Sequence, residues 1–307
     1  MWPKRTTAQA NILTTKYMRK FALDRAVQIM TLVVFGLLSS PSQSLADSLI
    51  EADRDFELLN YSKAISTYKE LAANGNARAE LRIAEMYRDG LGVAQDIDAS
   101  VRWLQQSAKH GNSKAQGDLG GIYAVGKLLP RDLKKAFFLI EMAAKAGDIV
   151  AQVDLGWAYM SDYLEMPPNY KLAMEWSLKA ANQGEGEGAS NVGLLCENGW
   201  GVPVNYSEAA KWYKKAIEYG ATSAQAAFHL ADLYEKGKGV EVDIEKAKVF
   251  FQYAIDSRDD EYMDQAIIRL RFIQDAPRLK ELDDVKYPEQ MPRRNKIPHY
   301  RHFDING

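Results

Sequence analysis

Hydrophobic positions recur with a helical period through most of the chain, and the pattern itself repeats about every 36 residues. Six segments begin at Tyr61, Ile97, Leu133, Tyr170, Tyr206 and Ile244, at spacings of 36, 36, 37, 36 and 38 residues. Each has a small residue at its fourth position, a mostly large apolar residue at its seventh, and mostly apolar residues at its eleventh and twelfth. Apolar residues at positions 4, 7, 8, 11 and 12 form one face of a helix. The pattern predicts an amphipathic helix at the start of every segment.

A glycine follows this first helix in five segments, at Gly75, Gly111, Gly147, Gly184 and Gly220. Glycine takes the left-handed conformation of a helix C-cap at no side-chain cost. A second apolar-periodic stretch follows, and the small residue near its middle would let a neighbouring helix approach closely. These small residues are Ala84, Gly120, Gly156, Gly193 and Ala231. We expect a second helix there, joined to the next segment by a glycine turn such as residues 198–202.

A half-buried strand needs alternating polar and apolar residues over several positions, and the sequence has no such stretch of useful length. The sequence therefore predicts an all-α chain. One helical hairpin cannot bury its own apolar face, whereas a stack of hairpins buries a continuous core. We interpret Trp103, Trp176 and Trp212 as packing residues, with ligand contact as the alternative. On this interpretation Trp212→Ala should cost about 3–5 kcal/mol of stability, as a buried large-to-small change.

Two turns depart from the pattern. The second unit has residues 126–130 (GKLLP) in place of the double-glycine turn, and the third has residues 160–169 (MSDYLEMPPN), which contain no glycine. Tyr163, Leu164 and Met166 in the longer turn are either exposed or folded back over the groove between repeats. We favour the second interpretation.

The fifth unit shows the repeated pattern most completely. Its residues are Ala209, Trp212, Gly220, Ala226, Leu230, Tyr234, Gly237, Gly239 and Val240, with Ala231 at a position where glycine is usual. This pattern resembles the Sel1-like repeat, a relative of the tetratricopeptide repeat, over roughly residues 60–275. The resemblance implies a right-handed α-solenoid of helix–turn–helix repeats, here of 36–38 residues, that scaffolds protein complexes, often in bacterial envelopes. It implies no reaction.

The first 46 residues have the organisation of a secretory signal peptide. Basic residues precede an apolar run at 26–38, and Ser44 and Ala46 supply the small residues of a cleavage site. Thirteen apolar residues rise only about 20 Å as a helix, short of the roughly 30 Å needed to cross a bilayer core, which disfavours an uncleaved anchor. We expect cleavage after Ala46 and a periplasmic or secreted protein with no integral membrane segment.

The expected organisation after the signal peptide (1–46) has four parts. They are a lead-in helix at 47–60, five repeats at 61–243, a partial capping repeat at 244–275 and a proline-rich basic tail at 276–307. After cleavage the chain carries 33 basic and 40 acidic residues, a net charge of -7. Residues 286–307 carry +3 and the body before them -10. An acidic body is a poor phosphate binder, so we predict no nucleic-acid partner.

Motifs of catalysis are scarce. The single cysteine, Cys196, excludes an internal disulfide and a multi-cysteine metal site, and we predict no catalytic residue, no cofactor and no metal. Residues 66–69 (STYK) match the S-x-x-K motif of penicillin-recognising enzymes. Some cysteine-rich Sel1-like proteins are reported to bind or hydrolyse penicillins, so the resemblance leaves a penicillin-binding or β-lactamase-like enzyme as an alternative function.

The sequence favours a non-catalytic protein-binding scaffold or adaptor of the bacterial cell envelope, and it does not identify the partner. A secreted factor that binds host or rival-cell proteins is a further alternative. We expect a groove along the first helices, whose polar residues are the candidate contacts: Arg102, Lys109, Lys134, Lys145, Glu175 and Lys211. The tail adds Arg293, Arg294 and Lys296. We expect the tail to contribute to partner binding, with a structural cap and a passive end as alternatives.

Overall fold

The computed structural model describes residues 41–220, 224–257 and 260–279, which form thirteen α-helices and no strand. The all-α prediction is confirmed for these residues. The helices are α1 (Pro41–Glu57), α2 (Tyr61–Ala73), α3 (Ala77–Asp89), α4 (Ile97–Lys109), α5 (Ser113–Val125), α6 (Leu133–Lys145), α7 (Ile149–Met160), α8 (Tyr170–Asn182), α9 (Gly186–Asn198), α10 (Tyr206–Glu218), α11 (Ala224–Lys236), α12 (Ile244–Asp256) and α13 (Asp260–Leu279). The apolar run at 26–38 and the basic segment at 286–307 lie outside the described residues.

Two kinds of helix alternate after α1. The first helices of the units, α2, α4, α6, α8, α10 and α12, are called the A helices below, and α3, α5, α7, α9, α11 and α13 are called the B helices. Most begin at an Asp or Asn whose side chain accepts a hydrogen bond from the backbone N–H three residues on, as Asp96 does from Ala99 and Asn112 from Ala115. Such a cap stabilises a helix by about 1 kcal/mol.

The five glycines predicted to end the A helices adopt the left-handed conformation. Their φ angles are 75° at Gly75, 88° at Gly111, 95° at Gly147, 85° at Gly184 and 75° at Gly220. This prediction is confirmed. An added Cβ at any of the five would meet nothing within 4 Å, so the bend from an A helix to its B helix is open on the outside.

The buried stripe of the A helices is centred on positions 4 and 8 of each segment. All twelve residues there are completely buried: Ala64, Ser100, Ala136, Ala173, Ala209 and Ala247 at position 4, and Tyr68, Leu104, Ile140, Ser177, Tyr213 and Phe251 at position 8. Position 7 lies at the margin of this stripe. Trp176 is buried, whereas Trp103 and Trp212 are half-buried.

The tryptophans at position 7 pack against the core, as predicted. All three rings contact core clusters, and lysine ammonium groups lie over two of them, Lys179 at 3.8 Å from the centre of Trp176 and Lys215 at 4.2 Å from the centre of Trp212. Trp212 is only half-buried, less than the predicted buried position, because the helix turns its neighbour Tyr213 toward the core instead.

The closest helix packing joins each B helix to the A helix that follows it, across the glycine turn. A Cβ added at Gly120 would lie 2.7 Å from Ile140 Cγ1, and one added at Gly193 would lie 2.7 Å from Tyr213 Cδ1. Glycine is needed at these positions because the next helix occupies the space of a side chain. The expected close approach at the small residues is confirmed here.

The turn at residues 160–169 folds back onto the array, as we favoured from the sequence. Leu164 is only 4% exposed, and Tyr163 and Met166 are half-buried against the same cluster as Ala136 and Ala158. Apolar side chains here fill the space that a short glycine turn would leave. In the other irregular turn, Leu128 and Leu129 pack against the core formed by α3, α4 and α5.

Helix α1 covers the first repeat. Ala52 is completely buried against α2, and the Asp53 carboxylate accepts hydrogen bonds from Tyr68 Oη at 2.7 Å and from Arg78 Nη2 at 2.6 Å. The helix thus closes the apolar face that the first repeat would otherwise expose. Among the helices described, none is both long enough and apolar enough to span a bilayer.

Candidate functional site

The two helix layers differ in how closely their members approach one another. Successive B helices contact each other, whereas successive A helices make no contact of similar extent. Helices on the inside of a curved stack lie closer together than those on the outside, so the B helices line the inner face. The sequence analysis expected the groove along the A helices. Both kinds of helix are amphipathic, so the sequence pattern alone does not show which layer lies on the inner face.

Polar side chains connect the B helices of neighbouring repeats along this inner face. Ser190 Oγ lies 3.1 Å from Gln225 Oε1, and Gln225 Nε2 donates to Tyr262 Oη at 2.8 Å. These three residues belong to α9, α11 and α13. Lys114 on α5 likewise contacts Glu85 on α3. The inner face therefore carries hydrogen bonds and ion pairs that run from repeat to repeat.

Ion pairs of the same kind join the last three B helices. Glu197 Oε2 on α9 lies 3.0 Å from His229 Nδ1 on α11. Arg269 on α13 donates to Glu235 at 2.6 Å and lies 3.5 Å from Asp232. We call the five residues Glu197, His229, Asp232, Glu235 and Arg269, together with Tyr262, the inner C-terminal face. Its three carboxylates are all in contact with basic groups: Glu197 with His229, Glu235 with Arg269, and Asp232 with both Arg269 and Lys236, the latter at 2.6 Å.

Glu197 contacts two side chains of this region at once. Its Oε2 accepts a hydrogen bond from the buried Tyr213 hydroxyl at 2.6 Å, in addition to the His229 contact. Burial by itself would raise the pKa of Glu197, but hydrogen bonding and attraction from His229, with the Tyr213 hydrogen bond, hold it below its ordinary value. Burial and the neighbouring carboxylate raise the pKa of Tyr213 well above its usual range. The pair is a neutral phenol donating to an ionised carboxylate.

Aromatic rings surround the His229 imidazole. Its ring stacks on Tyr213 with centroids 5.5 Å apart and an interplanar angle of 20°, and it meets Tyr262 at 6.0 Å. Phe228 contacts it edge-on at 5.7 Å. The inner C-terminal face thus places aromatic rings beside paired charged groups.

The A-helix candidates all lie at exposed positions on the other layer. Arg102, Lys109 and Lys134 are exposed. The remaining three pair within their own helices, Lys145 with Glu141 at 2.8 Å, Glu175 with Lys179 at 3.1 Å and Lys211 with Glu208 at 3.0 Å. They stay predictions as partner contacts, and Arg293, Arg294 and Lys296 lie outside the described residues.

Sequence reasoning missed the inner pairs, although their spacing carries a signal. Glu197 and His229 are 32 residues apart, which is one repeat less one helical turn. That separation brings the end of one B helix beside the middle of the next. Arg88 and Asp118, 30 residues apart, interact electrostatically in the same way. A search for opposite charges at this offset would have located these two pairs.

Within the described ranges, no three His, Cys, Asp or Glu side chains are grouped so that they could hold a metal ion. Burial, with the nearby Glu208 carboxylate, raises the pKa of the Cys196 thiol, which makes it a poor nucleophile at neutral pH. Ser66 of the S-x-x-K match lies exposed on α2, and Lys69 extends over the Tyr87 ring at 5.5 Å.

The Sel1 repeat family model matches residues 77–112, 113–148, 149–185, 186–220 and 224–259. The chain belongs to the Sel1 repeat family. Each match begins with a B helix and ends after the following A helix, so the repeat of this family is the closely packed pair. The Sel1 repeat is a fold of protein-interaction scaffolds.

Two solved structures show the same architecture. A Sel1 repeat protein from Oxalobacter formigenes is 25% identical with a TM-score of 0.67, covering 79% of this chain and 93% of that one. A protective antigen of uropathogenic Escherichia coli with an SLR fold is 26% identical with a TM-score of 0.64, covering 84% and 53%. The chitin synthase regulator SKT5 of Malassezia restricta is 33% identical over 84 residues, which are 27% of this chain and 6% of that protein.

Glu197→Gln should weaken the dependence of stability on acid pH. The folded-state pKa of Glu197 lies below its ordinary value of 4.5, so the ionised group contributes stability that is complete above that value and is lost as pH falls through the folded pKa. We expect the melting temperature of the variant to fall less steeply than that of the wild type below about pH 4.5. Tyr213→Phe removes one of the two hydrogen bonds and should give an intermediate profile. Superimposable profiles for Glu197→Gln and the wild type would contradict this assignment.

Proposed function

We propose that this Sel1 repeat protein is a non-catalytic binding scaffold of the bacterial cell envelope that holds a protein partner against its B-helix face. The observation that carries the proposal is the set of polar contacts between neighbouring B helices, at α3–α5 and at α9–α11–α13, which places half-buried charged and aromatic groups on the inner face. Repeat solenoids use such extended concave surfaces to bind partners. The family, the fold and the scarcity of catalytic motifs support this function over an enzyme.

The N-terminal sequence and the position of α1 support the envelope location. The expected cut after Ala46 falls inside α1, six residues after its start at Pro41. The contacts of α1 with the core are made by Leu49, Ala52 and Phe56, all beyond the cut. Cleavage would therefore leave the cover of the first repeat in place, with Asp47 at the positive end of the shortened helix.

Partner capture by site-specific photo-crosslinking tests the location and the surface together. A photoreactive residue at Gln105 or Phe138 would probe the A layer, and one at Arg78 or Lys114 the inner face. Tagged protein isolated from the envelope fraction should begin at Asp47, and the Arg78 and Lys114 probes should link it to a partner while the A-layer probes do not. A mature N-terminus at or before residue 40 would remove the export argument. Capture through the A layer alone would restore the groove predicted from the sequence.

A further inference from the structure

The side chains that join neighbouring B helices change in character between α7 and α9. In two other places the twelfth residue of a B helix interacts with the sixth residue of the next B helix. Arg88 on α3 interacts electrostatically with Asp118 on α5. Glu197 on α9 contacts His229 on α11. The twelfth residue of α7 is Met160, which is apolar and buried, so it offers the sixth residue of α9 neither a charge nor a hydrogen-bond donor.

That sixth residue of α9 is Asn191. It is only 4% exposed, and its side chain has no hydrogen-bond partner among the described residues. Asp118 and His229 occupy the same position on their helices and face the preceding B helix, so Asn191 lies on the inner face as well. A buried amide without a partner lowers the stability of the folded chain, and such groups are rare in native proteins.

The other buried amides in the described part of the chain are paired. Gln116 on α5 and Gln152 on α7 donate to backbone carbonyls at 3.1 and 3.2 Å. Ser177 Oγ also lacks a partner among the described residues, but a Cβ added at Gly156 would lie only 2.6 Å from it, so the core leaves no space for a ligand there. Asn191 therefore combines burial, an unused amide and a position on the inner face.

The chemistry of this site suits a peptide backbone. An asparagine side chain presents an acceptor oxygen and an N–H donor in one plane, which match the N–H and C=O groups of an extended peptide. Beside it, the half-buried Trp157 ring on α7 packs against the core cluster that contains Val192 and Leu194 of α9, and it offers apolar surface. The charged groups toward both ends of the inner face are in ion pairs, so they do not select a ligand by its charge.

We infer that the inner face between α7 and α9 binds an extended peptide segment of the partner protein, with Asn191 as its anchor. Asn191 Oδ1 accepts a hydrogen bond from a backbone N–H of the peptide, and Nδ2 donates to a backbone C=O. The inference deepens the proposed function, on which it rests, by naming the ligand chemistry and the residue that recognises it. The amide remains unpaired in the free chain because the peptide completes its hydrogen bonds.

The melting temperature of the free chain gives the first test. Asn191→Leu replaces an unpaired buried amide with an apolar side chain of similar size, so we expect the melting temperature to rise by about 2–4 °C. Gln152→Leu is the matched control, because that amide is paired on both sides, with Ala144 O and with Gln183. Its melting temperature should fall. A fall in Asn191→Leu and also in Asn191→Ala would show that Asn191 has a structural role, and would overturn the inference.

Selection from a random peptide library displayed on phage gives the second test. We expect peptides that are enriched on the full wild-type chain but not on Asn191→Leu. In a synthetic copy of such a peptide, methylation of the one backbone nitrogen that donates to Asn191 should weaken binding roughly five- to hundredfold. Asn182→Ala, which changes an exposed asparagine at the end of α8, should leave binding unchanged.

Three binding results would overturn the inference: no enriched peptide, equal enrichment on Asn191→Leu, or full tolerance of methylation at every backbone nitrogen. The inference can fail while the proposed function holds, because capture of the partner through Arg78 or Lys114 is measured separately. Circular dichroism of each variant confirms that a loss of binding does not reflect a loss of the fold.

Discussion

Tyr213→Ala should be among the most destabilising single substitutions in this chain. The Tyr213 side chain is completely buried, its ring fills the space beside Gly193, and its hydroxyl donates to Glu197. Truncation of a buried aromatic side chain costs about 3–5 kcal/mol, and the loss here also removes a hydrogen bond from a half-buried carboxylate. Urea unfolding followed by circular dichroism should show a lower midpoint.

Two neighbouring substitutions separate the contributions at this site. Tyr213→Phe keeps the ring and removes only the hydrogen bond to an ionised partner, which should cost about 1.5–3 kcal/mol. Trp212→Ala removes a half-buried ring with a lysine over it, so its cost should fall below that of Tyr213→Ala. A larger loss of unfolding free energy for Trp212→Ala than for Tyr213→Ala would show that position 7, rather than position 8, contributes most to the core contacts of the A helices.

Gly239→Ala should be the second severe change, and Gly220→Ala its matched control in the same repeat. Both residues have left-handed backbone, with φ of 69° and 75°. A Cβ at Gly239 would collide with Tyr206 C and Ser207 N and lie 2.6 Å from Tyr206 Cβ, whereas one at Gly220 meets nothing within 4 Å. The left-handed conformation costs alanine about 1–2 kcal/mol, and forced overpacking adds about 1–3 kcal/mol.

The difference between the two glycine variants is the informative quantity. Both variants force alanine into the left-handed conformation. The additional loss of stability in Gly239→Ala therefore measures the contact between the turn and the start of α10. We expect an excess of about 1–3 kcal/mol in thermal or urea unfolding. Equal losses of stability in the two variants would mean that the turn can move away from Tyr206 without lowering the stability.

The repeat, its helices and the glycine caps follow from the sequence because they depend on local periodicity and on backbone conformations that only glycine adopts easily. The register of the buried stripe does not follow as closely. Trp212 and Tyr213 are both large and aromatic, and only the packing of α9 against α10 decides which one faces the core. The fold-back of Leu164 was favoured from its apolar character and is confirmed by its burial.

The candidate surface was harder to foresee than the fold. Lys211 and Glu175 attract attention as charged residues on a regular helix, yet they pair within their own helices. Glu197, His229 and Arg269 act in pairs that are separated by about one repeat, so their roles depend on the distance between neighbouring B helices. The curvature of the helix stack sets that distance, and the hydrophobic periodicity of the sequence does not indicate how strongly the stack curves.

Glycines of two kinds, those at open bends and those in contact with an A helix, bear on where repeats can be added to the solenoid. At Gly111, Gly147 and Gly184 the chain bends with open space around it, whereas Gly92, Gly201 and Gly239 contact the start of the A helix of their own unit, at Tyr61, Tyr170 and Tyr206. The family matches begin at residues 113, 149 and 186, just after the open bends. Each of these contacts crosses an open bend, because the glycine lies after the bend and the tyrosine before it. A unit that is gained or lost at a bend must therefore restore the contact between a turn glycine and the A helix of its new neighbour.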